Sequence, residues 1–221
     1  MTRTSTPLIV GVIFTHADLQ RALGIRNPPD LFEVRLDALA ARGEEVSAAL
    51  GKLSAPLIIT ARHPREGGIN QLSVRERRAL LRSFLSQAAY VDIELRAASG
   101  FAEILKEARS RQIRIIISFH DLDKTPSRPR LDRIAQTART FGADILKIAT
   151  RTDTSTQLAR LREFFQSARQ EMKIAAMGFG RLGRVSRIDF ARDHSALNYG
   201  HLGRPQAEGQ LSCVQLRRIL Q

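Results

Sequence analysis

The sequence predicts a single closed (β/α)8 barrel, and three observations carry that expectation. Short apolar, β-branched runs recur eight times along the chain. Stretches of helical periodicity separate most of them. The runs themselves are near-continuous in Ile, Val, Leu and Ala, as strands covered on both faces are. Strand and helix alternating eight times over imply a parallel sheet that closes on itself.

The eight runs begin at Pro7 (PLIVGVIF), Asp30 (DLFEVRLD), Ala55 (APLIITAR), Ala89 (AYVDIELR), Ile113 (IRIIISFHD), Ala143 (ADILKIAT), Met172 (MKIAAMGF) and His194 (HSALNYG). Helical spacing is clear over 73–88, 101–111, 131–142 and 154–170. End signals agree with it: Ser73 and Glu76 form a capping box, Asp153 or Thr154 caps the helix after the sixth strand, and Gly142 stops the one before it. An open doubly wound sheet would instead show a Gly-rich phosphate turn after its first strand, which VIFTHADL is not.

A chain of 221 residues supports one core, so residues 1–221 are expected to form one domain. No apolar run is long enough to span a bilayer, and the opening MTRTSTP lacks the pattern of a secretory signal, so a cytoplasmic location and no membrane partner are expected. Cys213 is the single cysteine, which excludes an intrachain disulfide and a thiolate metal cluster. The net charge of +13 would suit nucleic acid, but the arginines are spread along the chain without a basic block paired to aromatics, so no nucleic-acid partner is expected.

Five of the basic residues are lysines and thirty are arginines. A lysine inside an apolar strand of so Arg-rich a chain asks for a reason, because Lys can lose its proton and act as a nucleophile whereas Arg cannot. Lys147 in ILKIA is that lysine. In an α/β barrel the active site is built at the C-terminal strand ends, so polar residues late in the runs are candidates: Glu33, Arg35 and Asp37, Arg62, Asp92 and Glu94, His120, and Lys147. Each alone has a structural reading. Glu33 and Arg35 could pair, Asp92 or Glu94 could cap a loop, and His120 could be a satisfied core histidine.

Together they make chemical sense. An amine flanked by Arg35 and Arg62 in a partly dry pocket has its proton destabilised, which favours attack on a carbonyl. His120 on the adjacent strand can then move protons next to the resulting iminium, and guanidinium groups suit a carboxylate on a small anionic substrate. No His pair has ligand spacing, so no metal is expected.

At this point the motifs resemble those of type I 3-dehydroquinase, in order: EVRLD (33–37), ARHPREGG (61–68), VDIEL (91–95), SFHDLDKTP (118–126), DILKIA (144–149), MG…LGRVSR (177–187) and EGQ (208–210). The resemblance implies a (β/α)8 enzyme that dehydrates 3-dehydroquinate through an imine on Lys147, with His120 as proton shuttle and Glu66 orienting it. It implies substrate contacts from Glu33, Arg35, Arg62, Arg187, Gln206 and Gln210, no cofactor, and a homodimer. Three departures stand out. Gly11 occupies the position expected of a substrate-binding serine, the 177–187 segment leaves Arg184 as an alternative to Arg187, and Gln206 replaces a second serine. Two other readings are carried: a class I aldolase acting on a sugar phosphate through the Gly-rich turns MGFGRLG and NYGHLG, and an inactive basic binding protein.

Overall fold

The computed structural model describes residues 7–39 and 43–221; the start of the N-terminal stretch read for a secretory signal lies outside them. All eight runs are strands: β1 (Leu8–Ile13), β2 (Leu31–Arg35), β3 (Leu57–Thr60), β4 (Tyr90–Glu94), β5 (Arg114–Asp121), β6 (Ile145–Arg151), β7 (Lys173–Phe179) and β8 (Leu197–His201). They pair in parallel in the order β7-β6-β5-β4-β3-β2-β1-β8. Sequential neighbours with β8 returning to β1 exclude the doubly wound alternative.

The remaining seam, between β7 and β8, is stitched by a side chain. The Ala196 N–H donates to Ile174 O at 2.8 Å, while buried Ser195 Oγ accepts from the Ala176 N–H at 3.2 Å and donates to Leu197 O at 3.3 Å.

Period-two alternation sends successive strand side chains to opposite faces. Phe32, Val34, Ile59, Ile93, Ile117 and Ile148 face outward into a core completed by Leu19, Leu81, Phe101, Leu131 and Phe164 from the helical layer. Val10, Leu31, Ile58, Ile116, Ile145 and Leu197 fill the barrel interior. Each such buried aliphatic or aromatic side chain contributes about 1.5–3 kcal/mol.

The expected helices are α4 (Val74–Phe84), α5 (Ala102–Ser110), α6 (Arg128–Thr140) and α7 (Ser155–Ala168). The Ser73–Glu76 capping box is present, Thr154 rather than Asp153 caps α7, and Gly142 follows α6 with φ +68°. α6 starts earlier than its apolar spacing suggests because Pro129 in the first turn is compatible with helix there. Short helices that periodicity did not single out complete the layer: α1 (His16–Gly24), α2 (Leu36–Leu39), α3 (Gly43–Leu50) and α8 (Gly183–Arg192), with α9 (Cys213–Leu220) following β8. Among the described residues no helix is long and apolar enough to cross a membrane.

Candidate active site

At the C-terminal ends of the strands lies a cavity of about 390 Å³, and all nine residues singled out for catalysis or substrate binding line it: Glu33, Arg35, Arg62, Glu66, His120, Lys147, Arg187, Gln206 and Gln210. Their convergence follows from the alternation of each strand. In the β5–β6 register Ser118 lies beside Lys147 and His120 beside Ala149, so lysine and histidine rise on neighbouring strands.

The Lys147 ammonium is buried. Its Nζ donates to Glu33 Oε1 at 2.8 Å and to Asp92 Oδ2 at 3.1 Å, and sits 3.9 Å from the centre of the Tyr199 ring. Carboxylates therefore contact the amine where Arg35 and Arg62 were expected to flank it. Arg35 is instead held by a forked pair of hydrogen bonds to Asp37, at 2.9 and 2.8 Å, and donates to Gly67 O. Glu33 and Arg35 share a face but are not partners.

Arg62 organises the interior. It donates to Asp92 at 3.2 and 2.9 Å, to Glu94 Oε1 at 3.3 Å and to Ser118 Oγ at 2.7 Å. Burial opposes its charge, yet Asp92, Glu94 and Glu33 outweigh that and raise its pKa further. Burial likewise disfavours the Asp92 carboxylate, but Arg62 and Lys147 hold it well below the usual carboxylate range. Glu94 is shared with Arg77, a buried arginine of α4 whose Nε donates to Ala61 O at 2.7 Å and whose guanidinium lies over Phe101. Asp92 is thus a member of this network, and Glu94 is both a member and a loop cap, since its Oε1 accepts the His63 backbone N–H after β3 at 2.7 Å.

His120 Nδ1 lies 2.9 Å from Glu66 Oε2, which also accepts the His120 backbone N–H at 3.0 Å. Because that oxygen already serves as an acceptor, the imidazole proton sits on Nδ1 and leaves Nε2 as the basic nitrogen. Burial, with Arg62 and Lys147 nearby, holds His120 well below its ordinary pKa and so neutral. Burial pushes Glu66 up to about 7, against the pull of Arg62 and Arg96.

The β7–β8 side differs. Arg187 of α8 reaches through the seam, donating to Tyr199 O at 3.4 Å and touching Met177 Sδ at 3.7 Å, while its Nε is buried without a partner. It is 8% exposed and burial lowers it to about 10. Arg184 is exposed and does not line the cavity, so Arg187 is the arginine presented there. Gln206 and Gln210 sit in the loop after β8, where Gln210 Oε1 accepts the Gln206 N–H at 2.7 Å and Gln206 Oε1 is buried without a partner.

The expectation at Gly11 requires correction. A Cβ there would meet Pro29, Leu202 and Phe32 at 2.9–3.2 Å, outside the barrel, so a side chain at Gly11 could not reach the cavity. Val12 is the β1 residue lining the cavity.

The Gly-rich turn before α8 is closed to phosphate. The Arg181 N–H donates to Asp153 Oδ1, the Leu182 N–H to Thr152 O and the Gly183 N–H to Gly180 O, and an Asp153 carboxylate oxygen would crowd any Cβ at Gly180. An anion site needs free donors and no fixed carboxylate, which disfavours the sugar-phosphate reading. Among the described residues no group of three or more His, Cys, Asp or Glu could hold a metal ion.

Sequence reasoning missed Arg77, Arg96 and Tyr199. Arg77 had a visible signal, since it precedes Leu81 and Phe84 by four and seven residues on the apolar face of α4.

Comparison with known proteins points one way. A family model for type I 3-dehydroquinase matches residues 13–221. The 3-dehydroquinate dehydratase of Thermococcus gammatolerans is 32% identical over 216 residues, 96% of this chain and 97% of that protein. The catabolic 3-dehydroquinate dehydratase of Acinetobacter baylyi is 31% identical over 208 residues, 86% of this chain and 75% of that one. The crystal structure of 3-dehydroquinate dehydratase from Geobacillus kaustophilus superposes with a TM-score of 0.87 at 26% identity, covering 98% of this chain and 90% of the other.

Proposed function

This chain belongs to the type I 3-dehydroquinase family, and from that premise we propose that it removes water from 3-dehydroquinate through an imine on Lys147. The observation that carries the mechanism is the pairing of a buried amine and a neutral imidazole on neighbouring strands in one cavity.

Lys147 Nζ gives up its proton, with Glu33 as the acceptor that faces the cavity, and attacks the ring ketone; Glu33 then returns that proton to the former carbonyl oxygen, which departs as water and leaves Glu33 ionised. The iminium withdraws electrons from the adjacent C–H bond, so His120 Nε2 can take that proton. The electron pair moves to form the ring double bond and expels the hydroxyl two carbons from the imine, which takes the proton back from His120 and departs as water. Hydrolysis of the imine frees 3-dehydroshikimate and regenerates the amine. Glu33 and Asp92 balance the iminium charge.

Arg187 supplies the unpaired cation for the substrate carboxylate by a charge-assisted, forked bond. Arg35, Arg62, Gln206 and Gln210 form the hydroxyl-binding wall. These steps need no cofactor. We read residues 1–221 as one catalytic domain, active in the cytoplasm as a homodimer, which sedimentation would test.

Incubation with 3-dehydroquinate should produce the ultraviolet absorbance of a conjugated enone. His120→Ala should lower turnover by about 10²–10⁴-fold while borohydride still traps the imine. A His120→Ala enzyme with normal turnover would refute the assigned role, and a parent enzyme giving neither absorbance nor adduct would refute the dehydratase reading.

A further inference from the structure

We propose that Arg96 is a positioning residue for proton transfer: by pairing with the outer oxygen of Glu66 it keeps that carboxylate ionised and thereby keeps the His120 proton on Nδ1. The proposal rests on the reading of His120 as the catalytic base.

Glu66 has two oxygens, and each has its own neighbour. Oε2 takes the His120 backbone N–H and faces Nδ1; Oε1 faces Arg96 Nε at 3.0 Å. The Glu66 side chain is 1% exposed and the Arg96 side chain 44% exposed, so the cation reaches in from the rim to a carboxylate that water hardly touches. Arg96 follows β4 in the 3-10 turn Leu95–Phe101, outside the cavity lining, and so acts only through Glu66.

Burial and several charged groups act on Glu66, and among the charged groups Arg96 alone pairs with it directly. Glu94, at the end of β4, repels it. Arg62, after β3, attracts it but spends its donors on Asp92, Glu94 and Ser118 and makes no hydrogen bond to Glu66. His120 of β5 is neutral, held so by burial with Arg62, Lys147 and Arg35 nearby. Arg96 is therefore the single arginine or lysine in ion-pair contact with Glu66 among the described residues.

The consequence concerns tautomers. A protonated Glu66 would donate to Nδ1, moving the imidazole proton to Nε2, and that nitrogen could no longer accept the substrate proton. Burial already places Glu66 at about 7, so little further loss of attraction is needed to protonate it at neutral pH. The sign is fixed: an opposite charge favours the ionised carboxylate, and its removal raises the pH at which activity appears.

The test is the pH profile of kcat on 3-dehydroquinate for the parent enzyme, Arg96→Met and Arg96→Lys. Arg96→Met should move the acidic limb upward by about one pH unit, cut turnover about fivefold near pH 7, and return it to within about twofold of the parent by about pH 9. Its KM and its borohydride-trapped imine should be unchanged, since neither depends on the histidine tautomer. Arg96→Lys should restore the parent limb. An unmoved limb, or a loss by the same factor at every pH, overturns the proposal. His120→Ala separates the two levels: if it is inert while Arg96→Met titrates like the parent, only the role of Arg96 falls, and if it turns over normally the reading beneath falls as well.

Discussion

The two halves of the barrel mouth are built on opposite principles. From β2 to β6 every charged side chain in the interior has a partner: Glu33, Arg62, Asp92, Glu94 and Lys147 form one connected network with Thr60 and Ser118. From β7 through β8 to β1 the strands contribute Met177, Phe179, Tyr199 and Val12 to the lining, Glu208 stands at the exposed rim in the loop after β8, and the buried charge is Arg187, with an Nε left unsatisfied. A paired half holds the amine in one geometry before substrate arrives. An unpaired cation in an apolar half carries a desolvation cost that an incoming carboxylate removes.

Breaking the paired half should cost most in stability. Asp92→Asn leaves Arg62 and Lys147 short of a buried carboxylate and should lower unfolding free energy by about 3–5 kcal/mol in denaturant titration. Because the Asp92 pKa is depressed in the fold, its contribution is complete above the unfolded value of about 3.9 and declines as pH falls below it. The variant should accordingly show a weaker loss of stability on acidification than the parent. Equal acid sensitivity would mean that Asp92 is not the group being titrated.

On the unpaired half the signs should reverse. Arg187→Met removes a charge that burial disfavours, so its melting temperature should be no lower than the parent's, while kcat/KM falls by about 1.5–3 kcal/mol of transition-state binding, roughly 10–150-fold. A large drop in stability would show that the guanidinium holds the β7–β8 seam rather than awaiting an anion. Smaller still is the effect of the Tyr199 ring beneath the Lys147 cation. Tyr199→Leu should cost about 0.5–2 kcal/mol in kcat/KM and Tyr199→Phe almost nothing, which steady-state kinetics would separate.

The same contrast shows what the sequence could convey. All eight strands were legible because burial on both faces leaves unbroken aliphatic runs, and the charged residues stood out because they interrupt those runs. Helices α4, α6 and α7 have 11, 13 and 14 residues, enough turns for periodicity to appear, whereas α2 has four and α3 eight. On β1 the property that reveals a strand also hid its orientation: Val10, Gly11, Val12 and Ile13 give no polar mark of which face is inward, and Gly11 was placed on the wrong side.

Identity of the site residues was readable, but pairing was not. Lys147 appeared to need arginine neighbours to shed its proton, yet the chain sets Glu33 and Asp92 against it and uses Arg62 to keep Asp92 charged. Which cation meets which carboxylate depends on register and shear between strands far apart in sequence, and a linear pattern does not carry that.

The central claim is a covalent bond at Lys147 Nζ. Mass spectrometry of the enzyme reduced with borohydride in the presence of 3-dehydroquinate, followed by peptide mapping, measures it directly. The account predicts one stable adduct, located on the peptide containing Lys147 and absent from Lys147→Ala. An adduct on Lys52, Lys106, Lys124 or Lys173 instead, or an undiminished adduct and turnover in Lys147→Ala, would contradict it.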